Sequence, residues 1–210
     1  MIETKGLKYT YDNKRWIEFP DLQCGENDIL LLLGKSGVGK TTLLHLIGGL
    51  MPTKQGEITI DDINLHGLSM AELDHFRGKN IGLIFQQAHF VQSINNLENL
   101  TLAQSLAGYP PNKEKCLSLM EELGIAYKAY DKPSNLSQGE KQRLSIARAL
   151  INNPKIILAD EPTSALDDDN TQQVIALLRK QAESIHAALI IVTHDARLKS
   201  VIPHQITLSV

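Results

Sequence analysis

Residues Gly34-Lys35-Ser36-Gly37-Val38-Gly39-Lys40-Thr41 form a complete G-x-x-x-x-G-K-[ST] pattern. Glycines let a backbone curl until successive N–H groups point at phosphate oxygens, and a following helix adds its positive end. In such a loop Lys40 reaches the terminal phosphates and Thr41 offers a hydroxyl to Mg²⁺. The bland alternative is a glycine-rich turn with an incidental lysine. A full match between an aliphatic run and a helical pattern is rare enough by chance to set that alternative aside.

A second group of chemically useful residues is Asp160-Glu161, directly after the aliphatic run Ile156 to Ala159. Acids at the end of a strand are often no more than solvated turn residues. Beside a phosphate loop they take on roles: Asp160 can orient Mg²⁺, and Glu161 can take the proton from a water attacking a γ-phosphate. His194 follows another aliphatic run, Leu189 to Val192. A histidine there is often a satisfied structural residue, so its position alone decides nothing.

These side chains need elements to hold them. Ile29 to Leu33 is too short for an ordinary helix and reads as a buried strand. After the glycine loop, Leu43, Leu44, Ile47 and Leu50 recur on one helical face, which predicts a helix over Thr41 to Leu50. Ile156 to Ala159 and Leu189 to Val192 are continuous aliphatic strands, as expected in a parallel sheet covered on both faces. The class is α/β. Shorter alternating segments such as Glu57-Ile58-Thr59-Ile60 predict an antiparallel sheet beside the parallel one.

Lys40 and Asp160 stand much further apart than the roughly 30 residues of a βαβ unit, so something is inserted between them. From Asn95 to Leu150 the periodicity is helical. Leu117, Met120 and Leu123 are three apart, Gly124 closes that helix, and Pro110-Pro111 precede it. Within the insertion, Leu136-Ser137-Gln138-Gly139-Glu140 precedes a helix with Leu144, Ala147 and Leu150 on its apolar face. Ser137 to Glu140 is by itself a complete capping box, S-x-x-E.

In combination these motifs resemble the ATP-binding subunit of ABC transporters, whose signature of the form LSGGQ corresponds to Leu136 to Glu140. Further matches in the family's order are Tyr11, Gln86 after the Ile81 to Phe85 strand, Ser164-Ala165-Leu166-Asp167, and His194. The resemblance runs over essentially the whole chain. It implies a P-loop NTPase fold: a RecA-like parallel core (1–90 and 146–210), an antiparallel β subdomain, and an inserted helical subdomain (91–145) carrying the signature. It further implies that ATP and Mg²⁺ are bound, with Gly34 to Thr41, Thr42, Tyr11 and Gln86 as nucleotide contacts. Thr41, Gln86 and Asp160 would serve the metal, and Glu161 and His194 would serve catalysis. Ser137 and Gly139 would grip the nucleotide of a second copy, so that two chains sandwich two ATP molecules.

The resemblance leaves some choices open. Tyr9 competes with Tyr11 for the adenine, and Gln87 with Gln86. Gln138 and Glu140 depart from the signature consensus, where glycine and glutamine are usual. Asp167-Asp168-Asp169 precede a helix expected over Val174 to Ala182, whose positive end the acids favour. Several stretches, including Phe85-Gln86, Asn96-Leu97-Glu98-Asn99 and Ser137 to Glu140, resemble the lipoprotein-releasing and macrolide-export branch. Ala88 to Leu102 is where the family docks its integral-membrane permease, although Phe90, Val91, Ile94, Leu97 and Leu100 could equally pack the insertion.

Composition sets bounds on other functions. The chain has 210 residues, of which 42% are hydrophobic and 21% charged, which suits one folded domain and excludes a disordered chain. Lys+Arg 21 against Asp+Glu 24 gives a net charge of -3 with no basic block, which argues against nucleic acid as a partner. No apolar run approaches the roughly 20 residues of a membrane span, and the N-terminus lacks a secretory pattern. The cytosol is therefore the expected compartment; attachment to the inner membrane face through a permease is what the resemblance implies, and no further domain is expected after Val210. Cys24 and Cys116 suggest neither a disulfide framework nor zinc. A P-loop GTPase would need N-K-x-D, and Asn13-Lys14-Arg15-Trp16 lacks the aspartate. A soluble ABC ATPase of DNA repair or translation would carry two cassettes or a long coiled coil. A cassette driving a mechanical membrane process, such as cell division, is the remaining alternative.

Overall fold

The computed structural model describes residues 2–164 and 168–209. The chain begins with β1 (Ile2–Tyr9), β2 (Ile17–Glu18), β3 (Leu22–Cys24), β4 (Ile29–Leu33) and α1 (Lys40–Ile47). It continues through β5 (Gln55–Ile60), β6 (Ile63–Asn64), α2 (Met70–Asn80) and β7 (Ile81–Ile84). Then come α3 (Asn96–Leu106), α4 (Lys113–Glu122), α5 (Gln138–Leu150), β8 (Ile156–Asp160), α6 (Asp168–Ser184), β9 (Ala188–Thr193) and β10 (Gln205–Thr207).

Two sheets result. One is antiparallel, in the order β2-β1-β5-β6 with β3 also on β1; the other is parallel throughout, in the order β10-β4-β9-β8-β7. Successive strand residues face opposite sides of a sheet, and the aliphatic runs of β4, β8 and β9 follow that rule. Leu31, Leu33, Ile157, Ala159, Leu189 and Ile191 belong to a core shared with α3 to α6. Leu30, Leu32, Ile156, Leu158, Ile190 and Val192 belong to a second core shared with α1 and the antiparallel sheet. An unbroken aliphatic run is what a strand needs when both its faces are covered. Full burial of each such side chain contributes about 1.5–3 kcal/mol before conformational entropy is set against it.

Several expected boundaries move. The first helix stops at Ile47, because Gly48 and the left-handed Gly49 (φ 62°) turn the chain, and Leu50 lies beyond it, exposed. α2 and β10 are unexpected elements. α2 buries no residue fully, although Leu73 and Phe76 pack partly against the second core; its sequence signal is the Ser69/Glu72 capping box. β10 has three residues, too few for a pattern. α6 starts at Asp168, well before Val174. Ala165, Leu166 and Asp167 lie outside the described residues, as do the side chains of Asp168 and Asp169. Residues 91–145 carry helices and 3₁₀ turns and no described strand, but α5 runs without a break across position 145. Of the apolar residues expected to dock a partner or pack the insertion, Leu97 and Leu100 are buried in the helical core, Phe90 packs partly against it, and Val91 is exposed.

α5 reaches the core by lying directly on β7. A Cβ built on Gly82 would stand 2.5 Å from the Ala149 carbonyl oxygen and 3.0 Å from Pro154 Cγ. Gly82→Ala should therefore destabilise the protein by about 1–3 kcal/mol, the range for overpacking. Urea unfolding measures this as a lower midpoint at an unchanged slope; an unmoved midpoint would mean that α5 can lift from β7 at no cost.

Candidate nucleotide site

The strands β4, β7, β8 and β9 run in one direction, so their carboxyl ends open onto one edge of the sheet. β4 feeds the loop Gly34 to Gly39. Gly34 is fixed by packing, since a Cβ there would lie 2.7 Å from Val38 Cγ1 and 3.0 Å from the Leu208 oxygen. Gly37 (φ 82°) and Gly39 (φ 99°) hold left-handed conformations that suit glycine. Lys40, almost fully buried, folds back over the loop and donates from Nζ to the carbonyls of Gly34 (3.0 Å) and Lys35 (3.1 Å).

α2, α3, α4 and α5 each have a side chain accepting from their first-turn N–H groups, whereas α1 begins at Gly39 with no side-chain cap. The first N–H groups of α1 are thus left for an external acceptor, with the positive end of the helix behind them. That is the requirement for holding phosphate.

At the end of β8, Asp160 pairs in register with Val192 of β9 and lies on the α1 side of the sheet. Its carboxyl is buried, Oδ1 has no hydrogen-bond partner, and Thr41 bonds to the side chain. Burial raises its pKa, and the Glu161 charge adds to that, against the opposing Thr41 bond. A buried carboxylate oxygen without a partner, next to a threonine hydroxyl, fits a divalent cation.

Glu161 turns away through a positive φ of 47°, uncommon for a residue with a Cβ. Such strain is of order 1–3 kcal/mol and persists only where neighbours enforce it. Here the enforcing groups are at the end of β9. Thr193 Oγ1 donates to Glu161 Oε2 at 2.9 Å, and the His194 backbone N–H and Nδ1 reach Oε1 at 3.2 and 2.7 Å. The Glu161 N–H is tied to the Val192 carbonyl at 2.8 Å. His194 is largely exposed, so its ring stands between Glu161 and solvent.

A cavity of about 580 Å³ is lined by Tyr11, Ser36, Gly37, Gly39, Lys40, Thr41, Thr42, Gln86, Glu161 and His194. Gly34, Lys35 and Val38 line an adjoining cavity with His194. The structure places the members of both open pairs differently. Tyr9 is buried, edge-on to Tyr11 at 5.0 Å, whereas Tyr11 is 67% exposed and its hydroxyl meets Thr42 Oγ1 at 2.8 Å. Gln86 lines the cavity and Gln87 does not. Thr193 had no signal in the sequence beyond adjacency to His194. Ile17, also in the cavity wall, packs 3.2 Å from where a Gly39 Cβ would be and belongs to a two-residue strand too short to read.

Ser137 and Gly139 line neither cavity. Ser137 caps α5, and its backbone N–H donates to Glu140 Oε2 at 2.6 Å while the Glu140 N–H donates to Ser137 Oγ at 3.3 Å. Tyr127 OH donates to Glu140 Oε1 at 2.6 Å. The Tyr127 bond and those from Ser137 pull the Glu140 carboxyl down to about 2. Gly139 is helical, and nothing lies within 4 Å of a Cβ built there. A glycine in a helix costs up to about 1 kcal/mol relative to alanine, and no contact among the described residues requires it.

The family described as ABC transporter matches residues 18–164. The chain belongs to the ABC transporter family. Its cassette is an ATP-binding, ATP-hydrolysing transporter subunit. It is 36% identical over 196 residues to the lipoprotein-releasing system ATP-binding protein LolD of Buchnera aphidicola subsp. Schizaphis graminum, covering 92% of this chain and 86% of that protein. LolD of Bacteroides fragilis is 34% identical over 96% of this chain and 94% of its own length. The methionine import ATP-binding protein MetN of Carboxydothermus hydrogenoformans is 38% identical over 94% of this chain but 60% of its length. Among solved structures, the cassette superposes on the dimeric post-hydrolysis state of the ATP-binding cassette MJ0796 bound to ADP and Pi, with a TM-score of 0.89 and 33% identity. That match covers 100% of this chain and 94% of the other.

The capping box of the cassette also has a pH signature. Glu140 ionises more readily in the folded state than its ordinary value of 4.5, so its stabilising effect is present above that value and is lost as pH falls toward about 2. Glu140→Gln should melt below the parent protein at neutral pH, with the gap closing as the pH drops through that window. Thermal melts across the acid range test this; a gap that persists at the acid end would assign the effect to shape and not to charge.

Proposed function

We propose that the cassette works as a pair, each copy holding ATP on its own loop and closing it with Ser137 and Gly139 of the other. The carrying observation is the separation within one chain: the α5 N-terminus stands outside the loop cavities, exposed, with a glycine that no internal contact explains. The dimeric state of the MJ0796 cassette supports this pairing. Residues 91–145 would serve as the inserted arm that brings the signature to the partner's nucleotide.

Within each site, the N–H groups of Gly34 to Thr42 would receive the phosphates, with Lys40 turning from its two carbonyls to the terminal ones. Tyr11 would leave Thr42 to stack on adenine. Thr41, Gln86 and Asp160 would hold Mg²⁺, which neutralises charge developing on the phosphates when bound. Glu161 would take the proton of the attacking water, held in place by Thr193, while His194 bridges Glu161 and the γ-phosphate.

No helix among the described residues is long and apolar enough to cross a membrane. A separate integral-membrane permease would convert dimer closure into movement, seated near Ala88 to Leu102. A cavity of about 550 Å³ there includes Phe85, His89 and Arg148, with Leu106 exposed at its side. We place the cassette at the inner face of the membrane through that partner, in a lipoprotein-release type of complex, because the similarity to LolD runs over nearly all of both chains.

Glu161→Gln should lower turnover by roughly 10²–10⁴ and accumulate an ATP-bound dimer on gel filtration; near-parental hydrolysis removes Glu161 from the proton-transfer role. Ser137→Arg should leave binding of ATP to the monomer intact and abolish hydrolysis. Unaltered turnover by that variant would falsify the paired site.

A further inference from the structure

Beyond Tyr11 the wall of the nucleotide site continues into a larger cavity of about 880 Å³, which shares Tyr11, Ile17 and Gly37 with the cavity over the phosphate loop. Its remaining wall includes Arg15 and Trp16. Trp16 is the one tryptophan of the chain and is 48% exposed, so part of its ring is open to a ligand. The loop that presents it is a built structure. Asp12 Oδ1 accepts the backbone N–H groups of Lys14 (2.9 Å) and Arg15 (3.0 Å) and the Thr10 hydroxyl (3.3 Å), and these bonds lower the Asp12 pKa. Asn13 turns the chain at φ 58° and accepts from Lys54 Nζ at 3.1 Å.

The charges around the cavity are sorted. Asp12 is engaged in its own loop and Glu18 is paired with Lys8 at 2.6 Å, so Arg15 is the lining charge for which no partner is found among the described residues. A half-exposed indole and a guanidinium-bearing residue lining one cavity, continuous with a phosphate-binding loop, have the chemistry of a nucleobase site: a flat π-face to stack on and a cation to accompany it.

We propose that Trp16, with Arg15 at its rim, forms the second wall of the nucleoside pocket, so that the base of the bound nucleotide lies between Tyr11 and Trp16. This rests on the nucleotide-site reading above and adds residues that the motifs do not reach. The phosphates remain the business of the loop, and Trp16 adds binding only where a base is present.

The test compares two ligands on the full chain, ATP and inorganic tripolyphosphate, each with Mg²⁺. Trp16→Ala should weaken ATP roughly tenfold, the scale of one base–aromatic stack, and leave tripolyphosphate unchanged; Trp16→Phe should restore most of the loss. In the parent protein, ATP should change the single-tryptophan fluorescence and tripolyphosphate should not. Unchanged ATP affinity in Trp16→Ala overturns the proposal, and so does an equal loss for both ligands, which would make Trp16 a support of the loop. Lys40→Ala is the separate arm and should weaken both ligands; if it binds both as the parent does, the nucleotide-site reading itself fails.

Discussion

Everything in this cassette depends on four parallel strands ending at the same edge. β4, β7, β8 and β9 are paired in parallel register, so the residues that follow them have nowhere to go but into one shared space. The phosphate loop follows β4, Gln86 lies just past β7, Asp160 ends β8 with Glu161 next, and Thr193 ends β9 with His194 next. Reversing any one of these strands would carry its residues to the far side of the molecule. The double core makes the arrangement rigid, because each strand is clamped by aliphatic side chains on both faces.

Against that rigid edge the polar groups are left in costly states. Asp160 is a buried carboxyl with an oxygen that has no hydrogen-bond partner among the described residues, Glu161 holds a strained backbone, and α1 is left uncapped where four other helices are capped. Each would be removed by a simple change if stability alone governed the sequence. Together they describe a region shaped for a ligand that is both anionic and accompanied by a cation. Lys40 is in a similar position, since its ammonium rests on two carbonyls of the loop it would otherwise serve.

The far end of α5 is constructed on the opposite principle. Its capping box is complete, with Tyr127 anchoring Glu140 from outside the helix, yet Ser137 and Gln138 are exposed and a Cβ built on Gly139 would meet nothing within 4 Å among the described residues. That exposed helix end is the surface on which the proposed pairing rests. The replacement of the usual signature glutamine by Glu140 adds a carboxylate there, and the hydrogen bonds from Tyr127 and Ser137 hold its charge toward the chain's own donors.

The sequence alone determined those features that depend on local spacing. The glycine loop, the aliphatic runs too short for helices, the acids following β8 and the S-x-x-E box are each contained within a few residues, and each formed where it was expected. What remained open depended on contacts between distant segments. Tyr9 and Tyr11 are equivalent in type; what separates them is that β1 ends at Tyr9, which is buried, while Tyr11 lies in the loop beyond the strand and is exposed. Gln86 and Gln87 differ only in which way the chain leaves β7. Thr193 became visible as a partner of Glu161 once β8 and β9 were side by side, and only the fold brought Trp16 to line a cavity with Gly37 and Val38 of the phosphate loop. Local pattern can name a reacting group, because its chemistry is its own; which neighbour holds it is decided by packing, which brings together residues that the chain keeps far apart.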